Sequence, residues 1–230
     1  MCRTSLTAAL VAAGMLVFPQ AQAATPSYPA MAPLRQYLSA TAADEIALAR
    51  SAAPASISAQ AEVLVLDAHG YKVGVKGSNG FVCFVMRSWG QDFDQPEFWN
   101  PKVRSPQCIN AAAARSMLPD YLTRTRWVLA RVPVADMRAR TKAAVAAKKI
   151  TAPEPGSISY MLSKRQYVAD ATRNWHPHVM FFLPPVDATA MGAQRSGSPV
   201  YGATSDVEPV TTVFVVSPVW SDGSPGPAHN

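Results

Sequence analysis

The stretch "WHPHVMFF", Trp175 to Phe182, carries two imidazoles two residues apart, with a proline between them and a tryptophan ahead. In an extended chain, period two places His176, His178, Met180 and Phe182 on one face and Trp175, Pro177, Val179 and Phe181 on the other. The two rings then stand about 7 Å apart on the same side, near enough to share one divalent ion. A metal centre needs at least a third ligand, and the candidates are Asp67, His69, Asp170 and Asp222. Without one, the pair can act as acid and base or hydrogen-bond the backbone at the rim of a sheet. No cofactor is expected; a divalent metal at His176 and His178 is the one addition the pattern admits.

A second constellation lies in "SWGQDFDQPEFWNPKVRSPQ", Ser88 to Gln107, which sets Trp89, Phe93, Phe98 and Trp99 among Asp92, Asp94 and Glu97. Rings stack on flat or apolar ligands and carboxylates take hydroxyls or protons, a mixture found in carbohydrate sites. The same rings can equally pack the segment onto a sheet. At about 20 residues, the stretch reads as a long functional loop without regular structure. Trp89, Phe93, Phe98, Trp99, His176 and His178 are therefore the candidate ligand-binding residues.

Other chemistries find no support. Tyr160 and Lys164 stand four apart, but no glycine-rich dinucleotide loop precedes them. There is no GxSxG elbow, so no catalytic residue is assigned. Between Asp120 and Lys149 lie eight Lys or Arg against two Asp, enough for a contact with an anionic surface and otherwise a solvated helix face. A nucleic-acid role is not expected, for no recognition module appears.

The compartment follows from the first residues. Arg3, the apolar run Leu6 to Phe18 and the small residues Ala21 to Ala23 have the order of a signal peptide over residues 1–23, which predicts a periplasmic or secreted protein. The apolar run is too short to span a bilayer, so no transmembrane segment is expected. The formal charge of +6 falls by one when Arg3 leaves with the signal. Two cysteines then remain, Cys83 and Cys108, and an oxidising compartment predicts a disulfide between them.

The elements that must position these groups are legible in outline. Residues 24–40 read as a linker or disordered arm, 41–222 as a single domain and 223–230 as a disordered tail. Thr41, Asp44, Glu45 and Arg50 have the placement of a capped helix ended by Pro54. Glu62 to Arg87 contains three β-rich runs separated by "AHG" and "GSNG", which predicts an antiparallel meander. Helical stretches follow Asn110 and Pro119, the second capped by Asp120. Val134 to Ile150 is an amphipathic helix with Val134, Met137, Thr141 and Val145 on one stripe. Strands are expected at "SISYMLS", "HVMFFLP" and "TTVFVVSPVW". The sum is an α+β fold, a mostly antiparallel sheet of about five or six strands with helices packed on one face.

The progression "NGFVC" (Asn79 to Cys83), "RSPQCIN" (Arg104 to Asn110), "YMLS" (Tyr160 to Ser163), "WHPHVMFF", "GSPV" (Gly197 to Val200) and "WSDG" (Trp220 to Gly223) resembles a group of exported bacterial proteins with no assigned activity. The resemblance spans nearly all of the mature chain and implies export, but no catalytic residue or ligand. Together these features predict an exported, non-catalytic domain that binds a ligand or an envelope component. The competing expectation is a metal-dependent or histidine-assisted hydrolase acting on an envelope polymer.

Overall fold

The computed structural model describes Met1 and residues 28–228, so the expected signal peptide beyond Met1, and His229, lie outside the described residues. Thr41 opens α1 (Ala42–Arg50): its hydroxyl accepts from the Asp44 amide at 3.1 Å, with Asp44 and Glu45 in the first turn. Carboxylates there complement the helix dipole. Pro54 leads into the single turn of α2 (Ala55–Ser58).

β1 (Glu62–Asp67) and β2 (Gly70–Val75) form an antiparallel hairpin whose turn uses Gly70 at a φ of +120°. β3 (Val82–Met86) does not continue a meander. It runs parallel to β1 on that strand's other side, with Val63 opposite Cys83. The reason lies in burial: β1 is covered on both faces and takes an inner position, whereas exposed Lys72 and Val73 suit β2 to the sheet edge. The connection crosses the start of β1 so closely that any side chain at Gly77 would strike the Glu62 backbone.

β4 (Ser105–Ile109) pairs antiparallel with β3 and places Cys108 directly opposite Cys83, to which it is disulfide-bonded. Next come α3 (Ala111–Ser116), capped by the Asn110 side chain, α4 (Leu118–Leu129) and α5 (Val134–Ala146). Asp120 lies inside the first turn of α4 and does not cap it. β5 (Ile158–Met161), β6 (His178–Leu183), β7 (Val200–Thr204) and β8 (Thr211–Val216) complete one eight-stranded sheet in the order β2-β1-β3-β4-β5-β6-β8-β7. The expected five or six strands become eight through β4 and β7. Both hide in segments whose proline and glycine argue against strands.

Helices lie on both faces of this sheet, not on one. Leu48, Ala49 and Ala52 of α1 pack with Val63, Cys83, Val85 and Cys108. Leu64, Phe84 and Ile109 point the other way, against Ala113 and Leu118 of α3 and α4. Between α1 and the end of β3, fully buried Arg87 donates from Nη2 to both Glu45 carboxylate oxygens at 2.8 and 2.9 Å.

Described residues of the expected arm and C-terminal tail make defined contacts. Tyr37, in the expected linker arm, has no exposed surface; its hydroxyl donates to the Trp99 carbonyl at 2.7 Å. Beyond β8, Trp220 is buried and the Gly226 amide donates to the Pro218 carbonyl. No helix among the described residues is long and apolar enough to cross a membrane.

Candidate functional site

Beyond the area that α3 and α4 cover, the second sheet face opens into a cleft of about 470 Å³. Strand register builds its floor, because Phe84 sits opposite Gln107, Met161 opposite His178, Met180 opposite Phe214 and Phe182 opposite Thr212. Directly opposed residues point to the same side of a sheet. The floor is therefore mostly apolar and rich in methionine, with Ser105, Gln107, His178 and Thr212 as its polar members. Leu118, Asp120, Tyr121 and Arg124 of α4 form one wall, Gln91 and Asp92 another, and the turn between β7 and β8 contributes Ser205, Glu208 and Val210.

His178 is the most deeply placed titratable group here. Its ring is 2 % exposed and lies between Trp175, at 4.7 Å between ring centroids, and Phe214, at 5.6 Å. Nδ1 sits 2.7 Å from the His176 carbonyl oxygen. A carbonyl only accepts, so Nδ1 carries the proton and Nε2 presents a lone pair. Among the described residues, Nε2 has no hydrogen-bond partner. Burial pushes the imidazole down to about 4, so the ring is neutral at physiological pH.

The wall is acidic. Burial, and then the neighbouring Glu208, push the Asp120 carboxyl up to about 6, against a smaller downward pull from Arg124. Asp92 is also raised, first by burial and next by Asp94. Arg124 is held on every side: Nη1 donates to the Trp89 and Gln91 carbonyls at 3.2 and 2.9 Å, Nη2 pairs with Glu208, and the guanidinium lies 4.2 Å from the Phe93 ring centre.

The expected site residues divide. His178 lines the cleft, and His176 acts on it through its backbone carbonyl. Trp89, Phe93 and Phe98 do not face the cleft. They are buried in a core cluster with Tyr37, Val128 and Met137, against which Trp99 packs. The Trp89 indole donates to Thr125, so the segment 88–99 is fixed by its rings. The expected third metal ligands lie elsewhere: Asp67 pairs with Lys72, Asp170 with Lys102, Asp222 with Lys164, and the His69 amide donates to Asp67. Among the described residues, no three His, Cys, Asp or Glu side chains gather as a metal site. Within the basic stretch, Arg124 and Arg138 are paired with Glu208 and Asp206, while Lys142, Lys148 and Lys149 are exposed.

Sequence reasoning did not single out Gln91, Arg124 or Glu208, and took Asp120 only as a helix cap. Arg124 and Glu208 are 84 residues apart and meet only through the sheet. No protein-family model, curated protein or solved structure matches the chain.

Proposed function

We propose that this is an exported binding protein that holds a small, largely apolar ligand in the sheet cleft without transforming it. The observation that carries the reading is His178 Nε2: a buried acceptor with no partner among the described residues, set in a mostly apolar floor. An unsatisfied buried polar atom costs about 1–3 kcal/mol, and a ligand donor at that point would recover it. The cavity volume falls within the range of small-molecule sites. The disulfide fits an oxidising compartment.

The test uses the uncharged fluorescent probe N-phenylnaphthylamine. Its emission should rise on one-to-one binding to the mature protein. Ala203→Trp, on edge strand β7 at the cleft lining, should abolish the rise while the circular dichroism spectrum is unchanged. No rise with the wild-type protein would remove the reading.

A second reading, hydrolysis in the same cleft, draws on Asp120, whose carboxyl near 6 suits a general base. Turnover of chromogenic esters or glycosides that Asp120→Asn abolishes would favour it over simple binding. His178 is the weaker candidate base, because a conjugate acid near 4 leaves little drive for proton abstraction.

A further inference from the structure

We infer that the ligand of this cleft is an amphiphilic cation: an apolar body on the methionine and phenylalanine floor and a head of protonated nitrogen bearing N–H donors. The inference rests on the cleft being a ligand site, as proposed above, and adds the chemical class of what it takes.

Among the described residues, the buried side-chain polar atoms of the cleft lining that lack a partner, His178 Nε2 and Gln91 Oε1, are both acceptors. His178 offers Nε2 as a lone pair, because the ring proton is held on Nδ1 by the His176 carbonyl. Gln91 offers Oε1, because its amide nitrogen already donates to the Val168 carbonyl at 3.1 Å. Asp92 and Asp120 line the same cleft, and their carboxylates have no hydrogen bond or ion pair among the described residues. Arg124 is the one cation among the lining residues, and it is already engaged by two carbonyls and Glu208.

Charge points the same way. Three carboxylates, those of Asp92, Asp120 and Glu208, face one guanidinium across the lining. An anionic head would add to that imbalance, and a neutral head would leave it. A cation with N–H donors corrects the charge and meets the acceptors through charge-assisted hydrogen bonds. Burial raises the Asp92 and Asp120 carboxyls first, neighbouring carboxylates add to it, and a bound cation would offset both effects.

The experiment is isothermal titration of the mature protein at neutral pH with four compounds of one chain length: n-octylamine, octyltrimethylammonium, n-octanol and octanoate. The amine should bind at least about tenfold more tightly than the alcohol, the difference of one charge-assisted hydrogen bond. The quaternary cation, which has no N–H, should fall between them, and octanoate should bind most weakly. The double variant Asp92→Asn, Asp120→Asn should weaken amine binding at least about tenfold and alcohol binding by much less. A readout in the unaltered protein stands beside it: near pH 6, amine binding should release protons, seen as buffer-dependent heat, because a cation beside Asp120 lowers its carboxyl. Alcohol or octanoate binding as tightly as the amine, or amine binding without proton release, would overturn the inference while sparing the binding cleft. Failure of all four to bind would overturn both.

Discussion

Arg124 on α4 meets Glu208 in the turn between β7 and β8, so one ion pair joins the helical wall of the cleft to the outermost hairpin of the sheet. Both side chains are largely shielded, and Val207 beside them packs with Trp89 and Met137. Glu208→Ala leaves the guanidinium without its carboxylate and should cost about 1–3 kcal/mol, more than an exposed pair would. Hydrogen exchange should speed up across residues 205–210 and stay unchanged in α1. Uniform acceleration would mean that the pair supports the whole fold and not this turn.

His178 should be silent in a titration. Its folded-state value of about 4 lies below the ordinary 6.5, so the stability it contributes is full above 6.5 and is lost as pH falls through 4. Nitrogen NMR of the ring should show a protonated Nδ1 and a bare Nε2 from neutral pH down to about pH 5. An imidazolium signal at pH 6 would contradict the assignment.

Asp120 has the opposite sign. Its carboxyl near 6 lies above the ordinary 3.8, so the folded state binds the proton more tightly. The stability this contributes is present below 3.8 and is lost as pH rises through 6. Asp120→Asn should therefore be more stable than the parent at pH 7 by about 1–2 kcal/mol, after allowance for partial exposure and the lost first-turn charge. Near pH 3.5 the two proteins should unfold together; a variant less stable at pH 7 would contradict the argument.

The Glu45 and Arg87 pair should tolerate no single deletion. With Arg87 wholly buried, Glu45→Ala leaves an uncompensated charge in the core and should cost about 3–5 kcal/mol. Urea unfolding measures this, and a loss below about 1 kcal/mol would show that water reaches the guanidinium.

Reduction should weaken the molecule as well. Cys83 and Cys108 close a loop of 25 residues, for which the bond contributes roughly 3 kcal/mol. Thiol titration of unfolded, unreduced mature protein should find no free cysteine, and two free thiols would exclude the bond.

What the sequence made legible was whatever depends on near neighbours. The Thr41 cap, the apolar runs of β1, β3, β6 and β8, and the buried stripe through Met137 and Thr141 all follow from local periodicity. The parallel partnering of β1 with β3 does not, because alternation says which face a residue takes and not which strand lies beside it. Pro106 disguised β4, and Gly202 disguised β7, where the missing side chain gives room to Ala188. In the cleft, the face and position of His178 were visible from period two. Its orphaned Nε2 was not, for that depends on what the opposite wall withholds. The aromatic residues at 89–99 misled for a related reason: rings suited to a ligand are equally suited to a core, and only tertiary packing decides.

The strand order carries a consequence for how the chain assembles. All partners of β1 through β4 lie within residues 62–109 or in β5, and β5 through β8 are added outward in nearly their order of synthesis. The order lets the hairpin, β3 and β4 pair with one another without β6, β7 or β8. The cleft, whose floor draws on β5, β6 and β8 as well, is complete only once the C-terminal strands have joined that first half.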